Sequence, residues 1–161
     1  ASSNPTLKNC VFELNGERGS STTVWGGGMY NASSSPTLTD CRFEGNKSSQ
    51  DGGGMYNRNN SNPELKRCTF INNTSQFGGG VYNTSDSDPE MRVCWFAGNQ
   101  ATSGQGNAIW GSGDSRPRLC GTHVCGSGQG AAMIYPRNGY DDVVGNSFAS
   151  ACSGDPEFDI I

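Results

Sequence analysis

The sequence has few apolar residues, little charge and no long hydrophobic run. Only 32% of its 161 residues are hydrophobic, 16% are charged, and the net charge is −4. A membrane-spanning helix needs about 18 or more consecutive apolar residues, and no stretch approaches that length. We therefore predict no membrane span within this chain. The small negative charge argues against nucleic acid as the main partner.

Histidine is almost absent, which limits the catalytic and metal sites that the chain can form. The single histidine, His123, lies between Thr122 and Val124, and no Ser-His-Asp or Cys-His arrangement can be built around it. We interpret it as a surface or capping residue. No Cys-x-x-Cys pair occurs, so no zinc site is predicted. We predict no catalytic residue and no cofactor.

The sequence also lacks helical periodicity, because no copy of its pattern has apolar residues at i, i+3, i+4 and i+7. What it has instead is a repeat: Pro-x-Leu-x-x-Cys-x-Phe-x-x-Asn, a polar spacer, then Gly-Gly-Gly-apolar-aromatic-Asn. Successive copies are 31, 27, 26 and 28 residues apart. They start at Pro5, Pro36, Pro63, Pro89 and Pro117. Periods of 20 to 50 residues are typical of repeat architectures.

Each copy is too short to bury a core alone, so neighbouring copies must stack. Triple glycines, proline and many Ser, Asn and Thr residues disfavour helix. The brief apolar pieces between them indicate very short strands. We therefore predict an all-β fold, a single-stranded parallel solenoid of about five coils. At roughly 4.8 Å between rows, five coils span about 24 Å.

Stacking superimposes equivalent residues in columns, which we predict as structural ladders. The aliphatic column is Leu7, Leu38, Leu65, Met91 and Leu119, and the phenylalanine column is Phe12, Phe43, Phe70 and Phe96, continued by Val124. The asparagine column, expected at a turn and with amides bonded along the axis, is Asn15, Asn46, Asn73 and Asn99. A second aromatic column is Tyr30, Tyr56, Tyr82 and Trp110; the pattern leaves open whether it faces the core or solvent.

The seven cysteines divide into two groups. Cys10, Cys41, Cys68 and Cys94 share one repeat position, where we expect buried free thiols. Disulfides between rows are the alternative, but a spacing of roughly 4.8 Å exceeds the usual Cβ separation of about 3.8 Å. The other three cysteines lie outside this column. A bridge from Cys152 to either Cys120 or Cys125 would fasten the C-terminal segment and fit an exported protein.

FELN, FEGN and FINN, each followed by a GGG-M/V-Y segment, and FAGN in the fourth copy resemble two known repeat groups. They are similar to the FxxN and GGA-[ILV] repeats of chlamydial polymorphic outer membrane proteins, although GGG replaces GGA here. They are more similar to the GGGMYN-type repeats of the bacterial right-handed parallel β-helix proteins of the pectate-lyase-like superfamily. The resemblance spans residues 5–134 and implies a right-handed, extracellular or cell-surface solenoid.

We divide the chain into coils at 1–134 and a C-terminal capping segment at 135–161. The first coil has no matching cap, so we expect it to bind upstream coils of a longer chain or another molecule. Lys8, Arg42, Lys66, Arg67 and Arg92 form a basic stripe in principle, but nearby glutamates favour a neutralised face. A weak calcium candidate combines Asp86, Asp88 and Glu90.

Two functional hypotheses follow from this pattern. The leading one is a non-enzymatic extracellular scaffold, either a surface adhesin or a fibre segment that assembles end to end. The alternative is a module that binds or cleaves polysaccharide, because pectate-lyase-like folds include such enzymes. A fold alone does not establish an activity.

Overall fold

The computed structural model describes residues 3–16, 23–103 and 106–126, together with the strands at 134–135, 143–144 and 147–149. Every regular element in this part of the chain is a β-strand. In chain order the strands are β1 Thr6–Lys8, β2 Val11–Glu13, β3 Met29–Ala32, β4 Thr37–Thr39, β5 Arg42–Glu44, β6 Met55–Arg58, β7 Glu64–Lys66, β8 Thr69–Ile71, β9 Thr74–Ser75, β10 Val81–Asn83, β11 Glu90–Arg92, β12 Trp95–Ala97, β13 Gln100–Ala101, β14 Ile109–Gly111, β15 Arg118–Cys120, β16 His123–Cys125, β17 Ile134–Tyr135, β18 Val143–Val144 and β19 Ser147–Ala149.

The strands form three long parallel sheets that run along one axis. The first sheet has the order β1-β4-β7-β11-β15-β18, the second β2-β5-β8-β12-β16-β19, and the third β3-β6-β10-β14-β17. Each strand pairs with its counterpart in the next repeat, as Phe43 does with Phe70 and Leu38 with Leu65. A short fourth sheet joins β9 and β13. The predicted parallel solenoid is therefore confirmed.

Strand alternation explains why each coil buries so few residues and is still stable. In the three-residue strands of the first sheet, the middle side chain faces inward and its neighbours face outward. Leu38, Leu65, Met91 and Leu119 are at most 2% exposed. Their outward neighbours are polar, which accounts for the low apolar content. Stacking covers each small apolar set from both sides.

The phenylalanine column is a continuous ring stack inside the solenoid. The ring centroids of Phe12, Phe43, Phe70 and Phe96 are 4.6, 4.7 and 4.8 Å apart, with interplanar angles of 5° or less. Phe43, Phe70 and Phe96 are fully buried. These spacings match the distance between neighbouring parallel strands. The predicted aromatic ladder is confirmed.

The cysteine column consists of free thiols, as expected. Cys41, Cys68 and Cys94 are buried and unbridged, and Cys10 at the first coil is partly covered. The Cys68 Sγ donates to the Leu38 carbonyl oxygen of the preceding coil at 3.6 Å. Burial raises the pKa of the Cys41 thiol and, more strongly, that of Cys94. In the fifth coil Thr122 takes this position and donates its hydroxyl to the Met91 carbonyl oxygen.

The asparagine column bonds along the axis, as predicted. Asn46 donates Nδ2 to Asn73 Oδ1 at 3.0 Å, and Asn73 donates Nδ2 to Asn99 Oδ1 at 2.9 Å. Each of these Oδ1 atoms also accepts the backbone N–H of the preceding asparagine. The amides therefore carry hydrogen bonds through an interior that excludes water.

The left-handed turn lies one residue earlier than the asparagine pattern predicts. The positive φ angles fall on the residue before each ladder asparagine, at Leu14, Gly45, Asn72 and Gly98, and on Gly126 at the corresponding position of the fifth coil. A second left-handed column occurs between the first two sheets at Asn9, Asp40, Arg67, Val93 and Gly121. The hydrogen bonds of the side-chain amides, rather than a tolerance of left-handed geometry, therefore explain why asparagine occupies the ladder positions.

The triple glycines form the third corner for two separate reasons. Gly52, the first of its triplet, has φ +67°, which favours glycine. Gly53, the second, has ordinary φ, but an added Cβ would lie 2.4 Å from the Gly79 carbonyl oxygen of the next coil. Glycine is required here by backbone geometry and by close backbone approach.

The sheets extend beyond the last copy of the sequence pattern. Strands β18 and β19, within the predicted capping segment 135–161, pair with β15 and β16 and add a further row. Hydrophobic periodicity gave no sign of this row. The rest of the segment lies outside the described residues, and its capping role stays a prediction.

Candidate functional site

A shallow groove runs along the outer face of the first sheet over three coils. It has a volume of about 120 Å³, and its polar lining is Thr37, Thr39, Glu64, Lys66, Glu90 and Arg92. It forms because each strand directs its first and third side chains outward while the middle side chain fills the core. The peptide backbone is the groove floor, and two columns of side chains are its walls.

The two walls of the groove carry opposite charges. Glu64 and Glu90 stand on one wall, and Lys66 and Arg92 stand on the other. Arg92 forms an ion pair with Glu90 across the groove. The face is therefore largely neutralised, with threonine hydroxyls at its second-coil end. Such a surface offers hydroxyl, carboxylate and cationic groups to an extended, hydroxyl-rich chain.

The other arginines of the predicted basic stripe are also paired. Arg42 lies 2.5 Å from Glu44, and Arg67 contacts both carboxylate oxygens of Asp40 at 2.6 and 2.7 Å. The Arg67 hydrogen bond lowers the pKa of Asp40 below its usual value. The interpretation of a neutralised, solvated face is confirmed for these pairs.

A partly buried carboxylate lies at the glycine corner of the second coil. Asp51 precedes the triple glycine at the position that Trp25 and Phe77 hold in the neighbouring coils. Its backbone carbonyl oxygen accepts the Gly26 N–H at 3.0 Å. Its Oδ1 is buried and has no hydrogen-bond partner among the described residues. Burial raises the pKa of Asp51 to about 6.

The second aromatic column lies on the outer face of the third sheet. It alternates with Met55 and Val81, which are fully buried in the core. The second aromatic column therefore faces away from the core, an orientation that the sequence pattern left open. The Tyr30, Tyr56 and Tyr82 rings stack at 5.4 and 5.2 Å, so they cover one another's faces. Burial raises the pKa of Tyr56 to about 12. Tyr30, at the first coil, is 44% exposed.

The family model for the right-handed beta helix region matches residues 1–151, almost the whole chain. The chain belongs to the right-handed β-helix family. Searches of curated proteins and of solved structures gave no significant match. Family membership agrees with the coil-by-coil register of the three sheets. No helix in the described part of this β-helix has the length and apolarity to cross a membrane.

The β-helix does not bring the calcium candidates together. Asp86, Asp88 and Glu90 form no ligand group, and neither do any other three His, Cys, Asp or Glu residues within the described ranges. Glu90 is engaged with Arg92, and Asp88 Oδ1 accepts the Arg116 backbone N–H. Successive side chains at a coil corner point in different directions, so these acidic residues are close in sequence but do not converge on one ion.

His123 and two cysteines lie in the fifth coil of the β-helix. The His123 ring stacks on Trp95 of the fourth coil at a centroid distance of 4.2 Å. Cys120 is an exposed free thiol, whereas Cys125 is buried. Of the two alternatives for the predicted bridge to Cys152, the structure therefore favours Cys125. Cys152 itself lies outside the described residues, and the bridge stays a prediction.

Sequence reasoning missed two further ladders. Asn31 donates Nδ2 to Asn57 Oδ1 at 2.8 Å, and Asn57 donates to Asn83 at 2.9 Å. A serine column bonds Oγ to the backbone N–H of the preceding coil at 3.1 Å, through Ser34, Ser61, Ser87 and Ser115. Both signals are visible in the repeat, as asparagine after the aromatic residue and serine two residues before proline. No such signal pointed to the partly buried Asp51, which stands where the neighbouring coils have Trp25 and Phe77.

Proposed function

We propose that this β-helix is a non-enzymatic extracellular scaffold, a surface adhesin or a fibre segment. The observation that carries the proposal is the difference between the inward and outward positions of each coil. Inward positions repeat from coil to coil and form ladders, whereas an outward column changes from threonine through glutamate to arginine along the rod: Thr6, Thr37, Glu64, Glu90 and Arg118. A rigid rod with a varied surface suits display and contact with a macromolecule.

Two considerations support the extracellular part of the proposal. The resemblance of the FxxN repeats to chlamydial polymorphic outer membrane proteins favours a surface location. A bridge between Cys125 and Cys152 would require an oxidising compartment. Mass spectrometry of the alkylated, unreduced protein tests the bridge. We expect label on Cys120 and a linked Cys125–Cys152 peptide; label on both Cys125 and Cys152 would remove this support.

The second candidate is a module that binds or cleaves polysaccharide in the groove of the first sheet. The groove favours it because hydroxyls and both charge signs line an extended channel about three coils long. A pair of variants distinguishes the candidates. Lys66→Met with Glu64→Gln alters the groove, and Arg42→Met with Glu44→Gln makes the equivalent change on the second sheet.

The deciding experiment incubates the protein with uronate-rich polysaccharides and follows both binding and unsaturated products. If the protein is a scaffold, we expect no turnover. Any polysaccharide binding should then be the same in the groove variant as in the parent. Turnover that the groove variant lacks and the control variant retains would replace the scaffold with the polysaccharide module. Binding lost in the groove variant without turnover would make the β-helix a polysaccharide-binding adhesin.

A further inference from the structure

The corner before the third sheet places a carboxylate between two large aromatic side chains. The corner column consists of the residue before each glycine triplet: Trp25, Asp51 and Phe77. Asp51 forms a parallel bridge with Phe77. The Gly26 N–H donates to the Asp51 carbonyl oxygen as the Gly52 N–H donates to that of Phe77, at 3.0 Å in both cases. The three residues therefore lie in register, each one row from the next.

The aromatic column of the third sheet lies beside this corner column. The Phe77 ring is 5.0 Å from the Trp110 ring of the following coil. The same offset of one coil brings Asp51 next to Tyr82, and the Asp51 charge adds to the effect of burial in raising the pKa of that phenol. The charge also acts on Tyr56, whose pKa burial raises to about 12. Two tyrosine rings therefore stand beside the carboxylate.

The short side chain of Asp51 leaves a notch in the corner column, bounded by Trp25 and Phe77. Tyr82, beside Asp51, is less covered than Tyr56, beside Trp25, as a missing ring predicts. Trp25 is 43% exposed, so the notch opens to solvent. Its two bounding rows are roughly 9.6 Å apart, or two strand spacings. A group midway would lie about 4.8 Å from each row, within the ≈ 6 Å over which a ring face attracts a cation.

The carboxylate in the notch has no cationic partner. Asp51 Oδ1 is buried without a hydrogen bond, and no ion pair in the described part of the chain involves Asp51. The nearby carbonyl oxygens are already engaged. That of Asp51 accepts the Gly26 N–H, with Ser48 Oγ also at 3.0 Å, and that of Phe77 accepts a glycine N–H and the Ser75 hydroxyl. The notch therefore offers negative charge and aromatic rings but few free acceptors for N–H groups.

We propose that the notch between Trp25 and Phe77 binds a quaternary ammonium group, with Asp51 as its counter-ion. A primary ammonium has three N–H donors and is strongly hydrated, so it would lose water here without gaining enough acceptors. A quaternary ammonium has no N–H group, and aromatic rings with one carboxylate are sufficient to bind it. The site is separate from the groove of the first sheet, so the proposal goes beyond both functions proposed above and depends on neither.

Choline and dimethylbutanol, in which a carbon replaces the charged nitrogen of choline, are the probes that test the proposal. NMR titration of the full 161-residue chain follows the indole N–H of Trp25, with that of Trp95 on the second sheet as an internal control. We expect choline to shift the Trp25 signal with a dissociation constant on the order of 1 mM. Dimethylbutanol and methylammonium should bind at least about fivefold more weakly, because each lacks one of the two matched properties.

Three variants identify the counter-ion. Asp51→Asn removes the charge at nearly constant size and should weaken choline binding at least about fivefold. Asp51→Phe completes the aromatic column, fills the notch and should abolish binding. The matched control is Asp86→Asn, which removes an exposed charge at a corner whose φ of 58° suits asparagine, and should bind choline as the parent does.

The proposal is overturned if choline leaves the Trp25 signal unchanged, or if either other probe binds as tightly as choline. It is also overturned if Asp51→Asn keeps the affinity of the parent. Asp51→Asn adds no bulk to the corner, so this comparison remains decisive even if Asp51→Phe does not fold. The scaffold and polysaccharide proposals stand or fall separately, by polysaccharide turnover and binding in the groove variant.

Discussion

Val93 has a backbone conformation that is unfavourable for its side chain. Its φ is 54°, in a column where other coils have asparagine, aspartate, arginine or glycine. A β-branched residue rarely adopts left-handed geometry, because Cβ crowds the following carbonyl oxygen. The side chain is also 46% exposed, so little burial offsets the strain.

Replacing Val93 with asparagine should therefore stabilise the protein by about 1 kcal/mol, the usual cost of left-handed geometry. Asn9 already holds this position in the first coil with φ 53°. Urea unfolding measures the change. The control is Val11→Asn at an exposed strand position, which should give no gain. A Val93→Asn protein less stable than its parent would contradict the account of this corner.

Asp51 makes stability depend on pH with a sign opposite to that of most carboxylates. Its pKa is raised from 3.8 to about 6 by burial, so the folded state binds the proton more tightly than the unfolded state. Stability therefore falls as pH rises from about 4 through 6. Asp51→Asn should be more stable than the parent at pH 8, by about 1 kcal/mol after allowance for partial exposure, and equal to it near pH 3.

The control for this prediction is Asp40→Asn. The Arg67 side chain lowers the pKa of Asp40, so that carboxylate stabilises the fold at neutral pH and loses its effect as pH falls. Thermal melts between pH 3 and 8 should show the two variants diverging in opposite directions. A pH-independent difference between Asp51→Asn and the parent would contradict the assigned burial.

At the scale of elements, the amide ladder connects the turns of adjacent coils. Asn73 donates to Asn99 Oδ1 and to the Phe43 carbonyl oxygen, and accepts two N–H groups from Asn46. Asn73→Ala leaves these groups buried without partners, which should cost roughly 3–5 kcal/mol. The adjacent Asn72→Gly should change the free energy of unfolding by less than about 0.5 kcal/mol, since glycine suits its left-handed geometry. Similar losses in urea unfolding for both variants would contradict the ladder's role.

Two glycine substitutions distinguish the steric effect of closely spaced coils from the cost of left-handed backbone geometry. Gly53→Ala would place Cβ within 2.7 Å of three backbone atoms, Gly79 O, Thr74 N and Thr74 O, and should cost about 2–4 kcal/mol. Gly113→Ala meets nothing closer than 3.9 Å, so only its φ of +67° is penalised, at about 1 kcal/mol. Differential scanning calorimetry compares the two. A Gly113 variant that melts below the Gly53 variant would contradict the close approach of adjacent coils.

For the whole molecule, sequence and structure agree where a residue's role repeats in every coil. The repeat Pro-x-Leu-x-x-Cys-x-Phe-x-x-Asn predicted the pairing of Phe43 with Phe70 and the thiol, aliphatic and amide columns, because stacking places equivalent residues at one strand spacing. Reasoning from sequence was weaker where one coil departs from the rest. The burial of Asp51 and the extra row at β18 and β19 depend on neighbours in other coils, which no local pattern records. The groove also required the structure, since it depends on which strand positions face outward.

The central claim is that residues one repeat apart lie directly above one another. Nuclear Overhauser contacts between side chains, measured on protein with labelled phenylalanine rings and methyl groups, test it most directly. The account predicts strong contacts from Phe43 to Phe12 and Phe70, whose ring centroids are 4.6 and 4.7 Å away, and from Leu38 to Leu65. Contacts confined to residues within one repeat, or antiparallel cross-strand contacts in place of these, would contradict it.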